Sequence, residues 1–210
     1  SSGSLLNVGK VDVFAGSSSG LGTTPVATFV GDQDGAQLGT SVATAGDING
    51  DGFADVIVGA DRYDNGSQVD VGRAWVYLGS SAGISSTPAW NQYGPYGDQG
   101  LGNYGHAVQT AGDVNGDGYS DVIVGANNFG NDQVQDEGRA FVYVGSADGL
   151  PSSLSWSHEG GNETSGGTAV AFGDVNGDGY SDLLLGTAYG PHGLSSGYPQ
   201  AYYGSATGLG

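Results

Sequence analysis

The chain has 210 residues, 43 of them Gly, no Cys, and a formal charge of -18 from 22 acidic and four basic side chains. So much Gly with only 12% charged residues excludes a helical bundle, and the lack of a Gly-X-Y period excludes collagen. The acidity excludes nucleic acid as a partner, because phosphate backbones repel such a chain, and without Cys there are neither disulfides nor thiolate metal sites.

In chain order, the first 37 residues hold one weak copy of a motif that returns later, Gly9-Lys10-Val11-Asp12-Val13-Phe14-Ala15-Gly16-Ser17. It predicts a strand followed by a turn, and then a partner strand. The next unit, 38–103, is the best defined. Four strands are expected near 40–45, 55–59, 72–78 and 88–93. Val56-Ile57-Val58 and Trp75-Val76-Tyr77-Leu78 are short β-branched or aromatic runs bounded by Gly, as strands buried on both faces are. Gly79-Ser80-Ser81-Ala82-Gly83 supplies the turn between the third and fourth strands.

The segment from Gly46 to Ala60 then returns from Gly112 to Ala126, an offset of 66, and again from Gly173 to Thr187, a further 61. The strand motif from Gly72 to Ser80 returns from Gly138 to Ser146 and, more weakly, from Gly197 to Ser205. Leu38-Gly39, Tyr104-Gly105 and Gly166-Gly167 precede the three loops. Units are thus expected at 38–103, 104–165 and 166–210, after the partial unit 1–37. The fold class read from this is all-β, with propeller-type blades of four antiparallel strands and almost no helix. Naming the strands A to D, the chain runs C-D, A-B-C-D, A-B-C-D, A-B-C. Three blades do not close a ring, so further copies of the chain, or missing blades of a longer one, are the expected partners. A start at Ser-Ser-Gly, the absence of Met and the lack of a signal peptide likewise predict a piece of something longer. No apolar run is long enough for a membrane helix, so no membrane insertion is expected.

The chemistry lies in the nine-residue loop Asp-x-Asn-x-Asp-Gly-x-x-Asp. Ca²⁺ takes about six to eight oxygen ligands, and alternate oxygen-bearing side chains on a tight turn point inward together. Gly at position six permits the bend. The first loop offers Asp47, Asn49, Asp51, the Phe53 carbonyl and Asp55; the second offers Asp113, Asn115, Asp117, the Tyr119 carbonyl and Asp121. The third offers Asp174, Asn176, Asp178, the Tyr180 carbonyl and Asp182. Position twelve is Val58, Val124 or Leu185, where an EF-hand requires Glu, and the flanks are strands, so the loops are not EF-hands. Asp, Asn and Gly also make ordinary turns, yet three matches at one place in three repeats exceed what turns need. Three Ca²⁺ sites are expected; three ions of charge +2 bring -18 to -12.

These residues resemble the FG-GAP repeat of integrin α-subunit propellers. Tyr104-Gly105 looks like the FG element, and Gly59-Ala60-Asp61 and Gly125-Ala126-Asn127 look like the GAP element, with the aspartate loop between them. The resemblance implies Ca²⁺ bound between the first two strands of each blade, in a seven-bladed extracellular propeller that serves adhesion. Leu38 and Gly166 replace the aromatic of FG, and Thr187 ends the third GAP-like site. No Asp-x-Ser-x-Ser adhesion motif is present, so that type of ligand coordination does not carry over.

An enzyme is not expected. Gly16-Ser17-Ser18-Ser19-Gly20 and Gly79-Ser80-Ser81-Ala82-Gly83 fit the Gly-x-Ser-x-Gly form, but the same turn recurs at 145–149 and 204–208 without the central Ser, which marks a hairpin. His106, His158 and His192 fall at unrelated repeat positions and are expected on the surface or in loops. Lys10, Arg73 and Arg139 share one position and predict a structural or solvent role. Trp75, Trp90 and Trp156 could stack on sugars, but Trp90 and Trp156 are repeat-equivalent and are expected to pack between blades. The favoured function is a calcium-binding module of an extracellular, secreted or cell-surface adhesion or scaffold protein with a protein or glycan ligand. The alternative is a lectin-like module, or an accessory module of a secreted enzyme.

Overall fold

The computed structural model describes residues 5–95, 102–130, 138–159, 169–186 and 200–210. The expectations placed on Gly166-Gly167, Thr187 and His192 lie outside the described residues, as does the start of the last strand motif at Gly197.

Every regular element is a strand, and no helix occurs among the described residues. β1 (Lys10–Val13) pairs antiparallel with β4 (Ala27–Val30), with the small hairpin β2 (Gly16–Ser17) and β3 (Gly20–Leu21) between them. The second sheet runs β5 (Ser41–Gly46), β6 (Asp55–Ala60), β7 (Arg73–Tyr77), β8 (Trp90–Tyr93), each strand antiparallel to the next. The third repeats it with β9 (Tyr104–Gly112), β10 (Asp121–Ala126), β11 (Arg139–Tyr143) and β12 (Trp156–Glu159). The fourth has β13 (Ala169–Gly173), β14 (Asp182–Gly186) and β15 (Gln200–Tyr202). The sheets therefore read C-D, A-B-C-D, A-B-C-D, A-B-C. The expected strands differ from the observed ones by one or two residues at their ends.

Strand alternation explains the unbroken apolar runs. Val58, Trp75 and Tyr77 face the first sheet and pack with Phe29 and Leu38. Their neighbours Ile57, Ala74 and Val76 face the third sheet and pack with Tyr104, Val108, Val122 and Val124. Ile123, Ala140 and Val142 turn the other way, onto Leu183 and Leu185. Each full blade thus has two buried faces, and the core is a series of layers between blades. Parallel bridges Gly9↔Leu38 and Gly72↔Tyr104 join the third strand of one blade to the start of the next.

Trp90 is buried in the layer between the second and third sheets, and its Nε1 donates to the Pro151 carbonyl at 2.9 Å. Trp156 packs in the layer beyond. Of the shared basic position, the two arginines are structural and the lysine is exposed: the Arg73 guanidinium lies over the rings of Tyr63, Trp75 and Tyr93, Arg139 over those of Phe129 and Phe141, and Lys10 pairs with Asp12. Two histidines correct the expectation of surface or loop positions. His106 lies in β9, its Nδ1 3.1 Å from Asp61 of the preceding blade. His158 lies in β12 against the Tyr202 hydroxyl.

Candidate metal centre

Each aspartate loop spans the turn from the first strand of a blade to the second: 47–55 joins β5 to β6, 113–121 joins β9 to β10, and 174–182 joins β13 to β14. A threonine shapes the way in. The Thr44 and Thr110 hydroxyls accept from the N–H of Gly46 and Gly112 across an irregularity in the ladder.

Inside the loop, the first carboxylate folds back on the turn. Asp47 accepts from the N–H of Asp51 at 3.0 Å and of Gly52 at 2.8 Å. Asp113 and Asp174 do the same, and each also accepts from the residue at position four, Gly116 and Gly177. The amide oxygen of Asn49, Asn115 or Asn176 accepts from the N–H of the fifth residue. The carboxylates of Asp51, Asp117 and Asp178 accept from the N–H of Phe53, Tyr119 and Tyr180. Gly52, Gly118 and Gly179 have φ of 88°, 90° and 92°, the left-handed bend expected at position six. Among the described residues, no three His, Asp or Glu side chains are gathered as an ion cage; the loop oxygens turn instead onto the loop's own N–H groups.

The ninth residue differs. Asp55, Asp121 and Asp182 are almost fully buried, at 1%, 0% and 0% exposure. In each, one oxygen accepts from the second residue of the loop (Ile48, Val114, Val175) and the other from the Gly of the hairpin after the third strand (Gly79, Gly145, Gly204). The carboxylate therefore ties the first-to-second turn to the third-to-fourth turn of its own blade. Burial raises the Asp121 carboxyl to about 7, against two N–H bonds that lower it, and Asp117 and Asp113 raise it further. Asp55 is raised by burial too, with Asp51 and Asp47 adding to it.

By residue type, the donor set suits a hard divalent cation. Each loop brings three carboxylates and an amide oxygen within nine residues, and the first two loops hold the ninth carboxyl against the repulsion of its neighbours. Among the described residues the ion pairs are Lys10–Asp12, His106–Asp61 and Arg139–Glu159, and none includes a loop carboxylate.

The sequence reading missed the residues just before the ninth position. The Ser120 hydroxyl accepts from the Asp47 N–H at 3.1 Å, and its own N–H donates to the Asp47 carbonyl at 2.9 Å. Ser181 does the same to Asp113, at 3.2 and 2.9 Å. The visible signal was Tyr-Ser at positions seven and eight of the second and third loops, against Phe53-Ala54 in the first.

The model of the FG-GAP repeat matches residues 38–77 and 166–208, and that of the FG-GAP-like repeat matches 113–185. The chain is 38% identical over 176 residues to integrin alpha pat-2 of Caenorhabditis elegans, covering 75% of this chain and 14% of that one. It is 31% identical over 206 residues to phosphatidylinositol-glycan-specific phospholipase D of Bos taurus, covering 93% and 24%. Integrin alpha-8 of Gallus gallus is 32% identical over 173 residues, covering 78% and 16%. The chain thus spans less than a quarter of the length of these relatives.

Proposed function

The chain belongs to the FG-GAP repeat family, and we propose that it is a non-enzymatic, calcium-binding blade array of an extracellular adhesion or scaffold protein. One observation carries this reading: nine loop carboxylates stand in three equivalent turns with no basic partner among the described residues. Asp47, Asn49, Asp51 and Asp55 would hold one ion with the Phe53 carbonyl. Asp113, Asn115, Asp117, the Tyr119 carbonyl and Asp121 would hold the second, and Asp174, Asn176, Asp178, the Tyr180 carbonyl and Asp182 the third. A bound cation supplies charge compensation and no reaction chemistry; the residues themselves fix the two turns at one end of each blade. Further blades, from other copies or from a longer chain, complete the stack, and a protein or glycan is the ligand.

A second reading is an accessory module of a secreted enzyme. It is favoured by the phosphatidylinositol-glycan-specific phospholipase D match, which covers 93% of the chain. Both readings share the calcium loops.

The test is thermal melting with Ca²⁺ and with excess EDTA. At a hundredfold excess over Kd one site contributes about 2.7 kcal/mol, so calcium is expected to raise the melting temperature clearly. Superimposable melting curves contradict the reading.

A further inference from the structure

The three loops are not independent turns. Loop 113–121 holds loop 47–55 through the paired Ser120 and Asp47 bonds, and the Ser146 N–H donates to the Ile48 carbonyl at 3.1 Å. Loop 174–182 holds loop 113–121 in the same way, through Ser181 and Asp113 and from the Ser205 N–H to the Val114 carbonyl at 3.1 Å. An aromatic ring closes each junction. A Cβ at Gly50 would fall 2.7 Å from the Tyr119 ring, and one at Gly116 would fall 2.5 Å from that of Tyr180.

The third loop provides an internal contrast. Among the described residues nothing lies within 4 Å of a Cβ built at Gly177, and Val175 is 56% exposed where its equivalents Ile48 and Val114 are 1% exposed. The first loop contrasts from the other side. Its seventh and eighth residues, Phe53 and Ala54, are exposed, and no aspartate loop precedes them among the described residues. Tyr-Ser thus occurs where an earlier loop stands beside it to be held.

We propose that Tyr119-Ser120 and Tyr180-Ser181 are positioning residues that couple neighbouring aspartate loops, so that loading one loop with a divalent cation orders the loop before it and the row fills cooperatively. This rests on the calcium reading above. The physical route is short. The carboxylate of Asp47 and its main-chain N–H and carbonyl belong to one residue, and Ser120 grips the latter two. The Tyr119 carbonyl, expected to face the ion of its own loop, belongs to the residue whose ring covers Gly50 of the loop before. An ion that fixes 113–121 therefore fixes the clamp on 47–55, and the favourable effect is reciprocal.

The experiment has two arms on the whole chain. In the first, amide hydrogen exchange is followed in EDTA for the wild type, Ser120→Ala and Ser181→Ala. Ser120→Ala is expected to speed exchange in 47–55 about tenfold while sparing 174–182. Ser181→Ala is expected to do so in 113–121 and spare 47–55. Unchanged exchange in the preceding loop, or an equal rise throughout the chain, overturns the clamp. In the second arm Ca²⁺ is titrated. The wild type is expected to bind with a Hill coefficient above 1, and Ser120→Ala to bring it closer to 1 with the number of ions unchanged. Equal slopes overturn the coupling. A chain that binds no Ca²⁺ overturns the calcium reading and the cooperative loading together, while the exchange arm, free of metal, still decides the clamp.

Discussion

Asp121 combines two demands that conflict at the scale of one side chain. Its carboxylate must accept N–H bonds from Val114 and Gly145 in a fully buried place, and it sits near Asp113 and Asp117. Burial raises it to about 7 from an ordinary value of about 4. Between those values the folded chain keeps a proton that the unfolded chain has released, so this group's contribution to stability falls as pH rises through that window. His158, lowered by burial, acts with the opposite sign near the same range, but it does so with and without calcium. The expected outcome is that the gain in melting temperature from Ca²⁺ over EDTA grows between pH about 4.5 and 7.5. A gain that stays flat or shrinks counts against the account. Asp117→Ala removes a carboxylate from the loop without touching these buried bonds. It is expected to abolish ion binding at that loop and to lower the melting temperature only when Ca²⁺ is present, which a melt in each condition checks.

At the scale of elements, much was legible because each strand carries its own signal. Asp55-Val56-Ile57-Val58-Gly59-Ala60 is apolar on both faces because blades cover both sides, and its strand was placed within one residue. The pairing of Gly16-Ser17 with Gly20-Leu21 confirms the hairpin in place of a nucleophile elbow. What stayed hidden depends on contacts between residues far apart in the chain, such as Asp47 with Ser120, 73 positions away, and Asp113 with Ser181, 68 away. Local pattern describes a turn but not what the next blade does to it. The histidines show the same limit, since His106 meets Asp61 only once two blades are stacked. Arg73 was legible as a shared position and not as a cation among rings. With its guanidinium 4.4 Å from the centre of the Tyr93 ring and two more rings close by, Arg73→Ala is expected to cost about 1–2 kcal/mol. In a chain of this size that is a fall of about 2–8 °C in the melting temperature. No change on a melting curve would show that the rings gain nothing from the cation.

Across the whole molecule, the charge of -18 and the stacking of blades belong to one problem. The loops lie at the same place in three successive blades and are held to one another, so nine carboxylates are gathered along one row. Close like charges cost stability in a folded chain, and on the calcium proposal cations along that row would turn the cost into a link between blades. A count of bound ions tests the three loops most directly. Equilibrium dialysis against Ca²⁺ is predicted to give three ions per chain for the wild type and two for Asp117→Ala. No bound calcium, or the same number of ions in both proteins, would contradict the calcium proposal.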